Sequence, residues 1–288
     1  MDSPAADELA EFIRETQLLP LDAEFIAQER QRPEVTVRGN YILILLLVPV
    51  FHREQRLTSG AALYIVIKEA EIFTLQYRPI AELETIWKEF ETNAEKQEEY
   101  FDDAALSLAL YLIAWVYDAS HRKLERLRKH IEIAEDAVFQ GNEHKMVKEI
   151  ATLTRDVMDF RRVIRPQRNL FSALLNHRLA DETARAQWER MPHMINQLWD
   201  TLGGLHESVQ ELGQTNDSLL QHKENELLRF LTLYSILAIP ILLLVDPPVS
   251  VNQGDVTAAD MLVSWGAWVV LVGLLALILL RFRGKRIF

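Results

Sequence analysis

The chain has 288 residues, a formal net charge of −11 and no cysteine. Without cysteine, disulfides, thiolate zinc sites and cysteine nucleophiles are excluded, and any metal must bind oxygen or imidazole ligands, as hard cations do. The acidic balance repels nucleic acid and concentrates cations near the surface, so we expect cationic partners and no nucleic acid. The sequence has no glycine-rich phosphate loop and no nucleophile elbow, so we expect neither an enzyme nor a bound cofactor.

Short apolar runs predict strands in the first third of the chain, at Tyr41–Val48, Ala62–Ile67 and Ile72–Tyr77. The first run is too short to cross a bilayer, and it predicts a strand buried on both faces. Glu69-Ala70-Glu71 is the expected hairpin turn between the other two runs. Beyond Pro79 the pattern is helical, with breaks at Gly141-Asn142 and from about Leu179 to Thr183. Residues 1–180 are therefore predicted to form a cytoplasmic α/β head of the α+β class, a small sheet with helices.

A heptad pattern predicts a long stalk helix over residues 183–226. Its apolar positions alternate spacings of three and four, with one polar interruption, at Ile195, Leu198, Leu202, Leu205, Val209, Leu212, Asn216 and Leu219. This pattern is typical of a coiled-coil seam between subunits, and packing onto helices of the same subunit is the alternative. No helix breaker lies between Gly213 and Tyr234. We therefore expect the stalk to continue into the apolar segment that follows.

Two apolar segments near the C-terminus are long enough to cross a bilayer, at residues 227–246 and 261–280. The first contains Arg229 close to its start, and the second contains no charge. Two buried globular helices are the alternative, but a core helix rarely needs about twenty nearly unbroken apolar residues. We therefore predict a two-pass membrane protein in contact with lipid.

The charges around these segments predict the orientation of the chain. The connecting loop, 247–260, contains acidic residues and no basic one, whereas the tail, 281–288, has four basic residues. The positive-inside rule places the tail in the cytoplasm and the loop outside. Residues 1–15 lack the basic start and apolar run of a signal peptide. Both termini are therefore expected to lie in the cytoplasm, and the protein is expected in a plasma or inner membrane.

The order of these parts resembles the CorA superfamily of divalent-cation transporters, and three local stretches are similar as well. The stretch Phe160–Pro166 is similar to a basic R-x-x-x-x-P stretch of that family. Pro240 stands where the first membrane helix of the family usually carries a proline, and the RFRGKRIF tail resembles the family's basic tail. The resemblance implies a homopentamer whose first membrane helices line a pore for divalent cations.

One departure from the family pattern concerns the outer loop. The Gly-Met-Asn signature that closes the first membrane helix is missing, and Val249-Ser250-Val251 occupies its place after Pro247-Pro248. Asn252 follows one position later as a potential substitute, but the two prolines impose a different backbone. Magnesium selectivity is therefore not inherited automatically. Transport of zinc, cobalt or nickel stays an alternative, as does a membrane-anchored scaffold or sensor that does not conduct.

The first membrane segment has one face that could line the pore implied by the resemblance. At about 100° per residue, one helical line carries Asn225, Leu228, Thr232, Ile236, Ile239, Leu243 and Asp246. We expect these residues to line the pore, with Asp246, Asn252 and Asp255 at the outer mouth. Arg229 lies near the edge of this face and is expected to reach head groups or to pair with Glu226.

Each polar member of this face has a structural alternative. Thr232 could bond its own helix backbone, Asn225 could be a solvated amide, and Asp246 could be an interfacial helix-end residue. No set of metal ligands is assigned from the sequence. Acids of the head and stalk could bind regulatory cations between subunits, as family members do, with a solvated surface as the alternative: Asp181, Glu182, Glu189 and Asp200.

Overall fold

A computed structural model describes residues 6–52, 56–93, 105–171 and 182–245, together with Gly266, Val269, Val270 and Gly273. The chain divides into two compact units, Met1–Asp217 and Ser218–Phe288. The helices and strands follow in chain order: α1 (Ala6–Thr16), α2 (Pro20–Ala27), β1 (Glu34–Val37), β2 (Ile42–His52), β3 (Leu57–Lys68), β4 (Glu71–Gln76), α3 (Ala81–Thr92), α4 (Ala105–Phe139), α5 (Glu143–Ile164), a 3-10 turn (Arg165–Gln167) and α6 (Glu182–Val245).

The strands form one antiparallel sheet in the order β1-β2-β3-β4. The prediction that the run at Tyr41–Val48 is a strand buried on both faces is confirmed, since Ile42 to Val48 are all at most 7% exposed. One face of β2 packs in a cluster with Phe12 and Ile26 from the N-terminal helices. Helix α5 contacts both β2 and β3. A run without polar alternation thus forms a central strand because both of its faces are covered.

The β3–β4 hairpin is one residue tighter than predicted. Lys68 pairs with Glu71, so the turn consists of Glu69 and Ala70 alone, and Glu71 is the first residue of β4. Glu69 adopts a φ of 51°, in the left-handed region that two-residue hairpin turns require. The position of the turn was predictable from the polar residues, whereas its length is set by the register of the strands.

The predicted helix break at Gly141-Asn142 is confirmed. Helix α4 ends at Phe139 and α5 begins at Glu143, with Gly141 at φ 92°. The Asn142 amide donates to Ala137 O and the Gly141 amide donates to Val138 O, both at 3.1 Å. This pair of bonds is the Schellman arrangement, which ends a helix at a left-handed glycine. The second predicted break, from Leu179 to Thr183, lies largely outside the described residues, and α6 includes its last two positions.

Helices α1 and α2 and strand β1 precede the elements that the sequence pattern predicted. Asp22 of α2 anchors this segment to the sheet. Arg38 donates to both carboxylate oxygens of Asp22 at 2.7 Å, and the Tyr41 hydroxyl donates to Asp22 Oδ2 at 2.5 Å. The Arg38 guanidinium holds the pKa of Asp22 below its ordinary value, although burial opposes this shift.

The heptad seam of α6 packs within its own chain. Ile195, Leu198, Leu202 and Val209 are fully buried, and Asn216 is 1% exposed. The alternative interpretation, packing onto the same subunit, is therefore the one observed for the seam as far as Asn216. Within the first unit, Trp188 Nε1 donates to Phe171 O at 2.9 Å, which fixes the start of this packed region.

Candidate functional site

The predicted pore face is described in part. Asn225, Leu228 and Thr232 are exposed on α6, and Ile236 is half-buried. Ile239 and Leu243 belong to α6, but their side chains lie outside the described part. Asp246, Asn252 and Asp255, the predicted outer mouth, lie outside the described residues altogether. The structure thus describes four side chains of the predicted face, and their role as a pore lining stays a prediction, as does the outer mouth.

Apolar side chains around this face are uncovered in the single chain. The exposed fractions are 69% for Leu227, 59% for Leu228, 56% for Phe230, 61% for Leu231 and 71% for Tyr234. Because successive helical residues point about 100° apart, Leu227, Phe230, Leu231 and Tyr234 form one apolar stripe, and Leu228 lies outside it on the predicted pore face. A surface of this kind marks contact with a membrane or with other protein chains.

Within the described ranges, no helix combines the length and the apolar character needed to cross a membrane. Of the second predicted membrane segment, 261–280, only Gly266, Val269, Val270 and Gly273 are described, and all four are helical. The two predicted membrane segments therefore stay predictions.

The hydroxyl of Thr232 bonds the helix backbone, as the structural alternative expected. Thr232 Oγ1 donates to Leu228 O at 2.7 Å, and Ser235 Oγ donates to Leu231 O at 2.9 Å. Each bond uses the single donor of the hydroxyl and leaves the oxygen lone pairs available as acceptors. The Thr232 hydroxyl can therefore donate its proton to the helix backbone while its oxygen accepts a hydrogen bond from a water molecule of a hydrated ion.

Arg229 and Glu226, three residues apart on α6, are both exposed. Among the described side chains, the structure shows ion pairs for several arginines but none within 4.0 Å between these two residues. The pairing of Arg229 with Glu226 that the sequence allowed is therefore absent from the single chain. The other expectation, that Arg229 reaches lipid head groups, is unaffected.

The basic stretch Phe160–Pro166 docks α6 of the first unit onto the head. Arg161 stacks over the Trp199 ring at 4.7 Å, and Arg168 stacks over the same ring at 5.2 Å. Arg168 Nε also donates to Asn196 Oδ1 at 3.1 Å. Stacked guanidinium groups contribute both packing and charge, so Arg161 of this stretch and Arg168, just after it, hold Trp199 of α6 in place.

The bend that follows this stretch is held by Gln167, a buried residue that sequence reasoning missed. Its amide nitrogen donates to Leu47 O at 2.8 Å and to Val163 O at 2.9 Å, and its amide oxygen accepts from the Tyr117 hydroxyl at 2.9 Å. Strand β2 and helices α4 and α5 therefore meet at one side chain. A glutamine in a basic polar stretch carries no sequence signal of burial.

Asp156, on α5, is a second buried polar residue that the sequence did not single out. It is 8% exposed, and the hydroxyl and amide of Thr58 are the polar groups beside it that favour its charged form. Its Oδ1 has no hydrogen-bond partner among the described residues. Burial raises the pKa of this carboxyl above its ordinary value. A signal was present, since Asp156 interrupts the apolar face formed by Leu153, Val157 and Phe160.

The candidate regulatory acids are only partly described. Glu189 and Asp200 are exposed on α6, the side chain of Glu182 lies outside the described part, and Asp181 lies outside entirely. In the described portion of the chain, no three His, Asp or Glu side chains converge closely enough to hold a metal ion. A regulatory site that needs acids from two subunits stays a prediction.

Comparison with protein families links these features to known proteins. The family described as CorA-like Mg2+ transporter protein matches residues 1–245. The cobalt/magnesium transport protein CorA of Thermotoga maritima is 22% identical over 229 residues, which cover 77% of this chain. The chain spans 63% of the length of this curated relative.

Two solved structures share the fold over most of the chain. The complete CorA magnesium transporter from Methanocaldococcus jannaschii matches 96% of this chain and 87% of its own, with a TM-score of 0.77 and 18% identity. The full-length CmaX protein matches 98% of this chain and 86% of its own, with a TM-score of 0.76 and 14% identity. At these identities the likeness establishes the fold, a CorA-like α+β domain with a long helix. The resemblance to the CorA superfamily is confirmed, and a transporter family agrees with the expectation that the chain is not an enzyme.

Proposed function

The chain belongs to the family of CorA-like Mg2+ transporter proteins, and from this premise we propose that it moves divalent cations across a membrane. The observation that carries the proposal is the uncovered stretch of α6 from Leu227 to Tyr234. Between Leu227 and Tyr234 its apolar side chains are exposed in the single chain, while Asn225 and Thr232 place polar groups on one helical line. Lipid on the apolar sides and an aqueous axis on the polar line would satisfy both kinds of side chain.

The assembly that fits this helix is a homopentamer in a plasma or inner membrane, with both termini in the cytoplasm. Residues 227–246 and 261–280 would cross the bilayer, and residues 247–260 would form the outer loop. Each subunit would contribute Asn225, Leu228, Thr232, Ile236, Ile239 and Leu243 to the pore. Asp246, Asn252 and Asp255 would surround the outer mouth. Permeation would be passive or driven by the membrane potential, with apolar rings as the gate.

The choice of ion is the finer part of the proposal. The Thermotoga relative is named for cobalt and magnesium, and the archaeal structure for magnesium. In this chain, Val249-Ser250-Val251 stands where Gly-Met-Asn is expected. We propose hydrated divalent cations as the transported class, with zinc, cobalt and nickel as alternatives to magnesium.

Flux into proteoliposomes tests the proposal directly. Purified full-length protein would be reconstituted, and entry of Mg2+, Zn2+, Co2+ and Ni2+ would be measured separately under an inward-negative potential. We expect uptake above that of protein-free liposomes for at least one of these cations, with Na+ uptake unchanged. Native mass spectrometry of the same preparation should show a homo-oligomer. A monomer, or equal uptake with and without protein for all four cations, contradicts the proposal.

A second candidate function is a membrane-anchored scaffold or sensor that does not conduct. Arg229 favours it, because this cation lies near the proposed pore face and Glu226 does not neutralise it in the single chain. Five arginines at the edge of a pore would repel cations. Under this alternative the protein oligomerises in the membrane but produces no metal-dependent flux, and Arg229→Gln does not create one.

A further inference from the structure

A cavity of about 510 Å3 opens on the surface of the first unit, between the sheet and helix α5. Three arginines line it: Arg155 and Arg162 from α5, and Arg78 from the segment after β4. Asp159 is the one acid among its lining residues. The cavity is therefore a positively charged place on a chain whose formal net charge is −11.

The helical geometry of α5 explains why these charges converge. Arg155, Asp159 and Arg162 are separated by four and then three residues, so they share one face of the helix. Arg162 Nη1 donates to Asp159 Oδ1 at 2.7 Å, and Arg155 Nε lies 3.9 Å from Asp159 Oδ2. One carboxylate thus orients two guanidinium groups, and most of their N–H donors are left unused by it.

The grouping of arginines around the cavity is not explained by a contribution of their ion pairs to the stability of the fold. The side chains of Arg155 and Arg162 are 69% and 78% exposed, and ion pairs at such positions contribute little to folding. Arg78 lies 3.3 Å from Glu29 in a second pair, with its side chain 49% exposed. Three guanidinium groups around one cavity are instead the arrangement that recognises phosphate, because their fork of donors matches phosphate oxygens.

The rest of the cavity is suited to an organic group. Leu47, Leu57 and Val163 provide an apolar wall, and His52 and Ser59 provide polar atoms 2.7 Å apart. A volume of about 510 Å3 lies within the range of about 300–1,000 Å3 typical of small-molecule sites, and it exceeds what a single phosphate ion fills. Gly60 also lines the cavity, and a Cβ there would lie 3.4 Å from Val163 Cγ2 and 3.5 Å from Leu47 Cβ, so the glycine lets α5 pack closely on β3.

We propose that this cavity binds a soluble phosphorylated organic molecule of the nucleotide class, with the phosphates on Arg155, Arg162 and Arg78 and the organic group against the apolar wall. Binding in the cavity would act directly on α5 and β3, the elements that form it. This site is independent of the proposed transport pathway, because every residue that lines it belongs to the first unit.

Isothermal titration of the purified full-length chain in neutral detergent tests the proposal, with EDTA present so that metal binding does not contribute. ATP, pyrophosphate, inorganic phosphate and adenosine are the probes. We expect ATP to bind with a dissociation constant below about 1 mM, pyrophosphate more weakly, and phosphate and adenosine at least tenfold more weakly than ATP. Raising the salt concentration should weaken ATP binding.

Arg155→Gln and Arg162→Gln should each weaken ATP binding about tenfold, since each removes a charged donor. Both side chains are largely exposed, so the melting temperature should change little. Arg128→Gln is the matched control, because Arg128 is an exposed arginine of α4 that does not line the cavity, and it should bind ATP like the parent chain.

Three results overturn the proposal. The first is no heat of binding when ATP is added to 5 mM, well above the expected dissociation constant of about 1 mM. The second is ATP binding that Arg155→Gln and Arg162→Gln leave unchanged. The third is binding of short-chain phosphatidylglycerol that depends on these arginines while ATP does not bind, which would assign the phosphate chemistry to a lipid head group.

Discussion

Two stretches of helix α6 differ in what covers their apolar residues. Between Ile195 and Leu212 the seam residues are at most 6% exposed, because the head of the same chain covers them. Between Leu227 and Tyr234 the apolar residues are 38–71% exposed. Both stretches are rich in leucine, so composition alone does not distinguish them. The first stretch is stabilised within one chain, whereas the second needs lipid or further copies.

Leu202→Ala and Leu231→Ala compare these two stretches with the same substitution. Leu202 is fully buried, so its truncation should lower the free energy of unfolding by about 2–4 kcal/mol. Leu231 is 61% exposed, and its truncation should cost less than about 0.5 kcal/mol within a single chain. Chemical unfolding of the detergent-solubilised chain, followed by tryptophan fluorescence, measures both. Equal losses would mean that Leu231 is buried in the assembly as deeply as Leu202 is in the head.

Leu228→Ser tests whether the uncovered stretch contains the gate. If apolar rings close the pore by dewetting, a hydroxyl at Leu228 should let water persist there and raise divalent-cation leak several-fold. Uptake by proteoliposomes with equal amounts of protein is the measurement. Leu227→Ser is the control, because Leu227 is similarly exposed but lies off the proposed line. Unchanged leak in Leu228→Ser would place the gate at another ring.

Asp246→Asn extends the comparison to the outer mouth, which lies outside the described residues. If five copies of this carboxylate surround the axis, removing their charge should lower cation entry about twofold to threefold at low ionic strength. The effect should shrink with added salt, because screening already weakens the attraction. Asp260→Asn, at the start of the second predicted membrane segment, should do much less. Equal losses from both changes would show that other residues build the outer mouth.

How much of the fold could be predicted from the sequence also differed between parts of the chain. The buried strand at Tyr41–Val48 and the break at Gly141-Asn142 were predictable, because uninterrupted apolar runs and a left-handed glycine have local signatures. Helix α2 lacked such a signature, since its anchor is the pairing of Asp22 with Arg38, which unites residues distant in sequence. The seam showed a third limit, because heptad spacing predicts a buried face but not the chain that buries it.

The candidate site could be predicted from the sequence only in part. The polar positions Asn225 and Thr232 follow from helical spacing alone, and both are exposed on α6, while their place in a pore stays a prediction. The hydrogen bond from Thr232 to Leu228 O was one of two alternatives, and only the structure could choose between them. The arginine cavity was not predictable, because Arg78 and Arg155 are brought together by the packing of α5 on the sheet.

The smallest expected effect concerns Asp156, a carboxyl that is buried in the head of the single chain. Here burial within one chain lowers the stability of the fold, in contrast to the buried apolar seam. Because burial raises the pKa of Asp156, the folded chain holds its proton more tightly than the unfolded chain does. Above the folded pKa the carboxyl is ionised in both states, and the buried charge lowers stability. As the pH falls through the folded pKa towards the unfolded value of about 3.9, this penalty is lost.

Asp156→Asn should therefore raise the melting temperature by about 1–3 °C at pH 7, where it removes a buried charge and keeps an oxygen that can accept from Thr58. The difference from the parent chain should decrease as the pH falls towards about 4, because the parent carboxyl then becomes neutral too. Asp136→Asn, the same change at an exposed position of α4, controls for the loss of one surface charge and should show no such dependence.

A difference that stays constant from pH 4 to pH 7, or that matches Asp136→Asn, would mean that Asp156 ionises in the folded head as easily as a surface acid. Its unpaired Oδ1 would then have to be solvated, and the cavity beside it, lined by His130 and Lys123, would have to hold water.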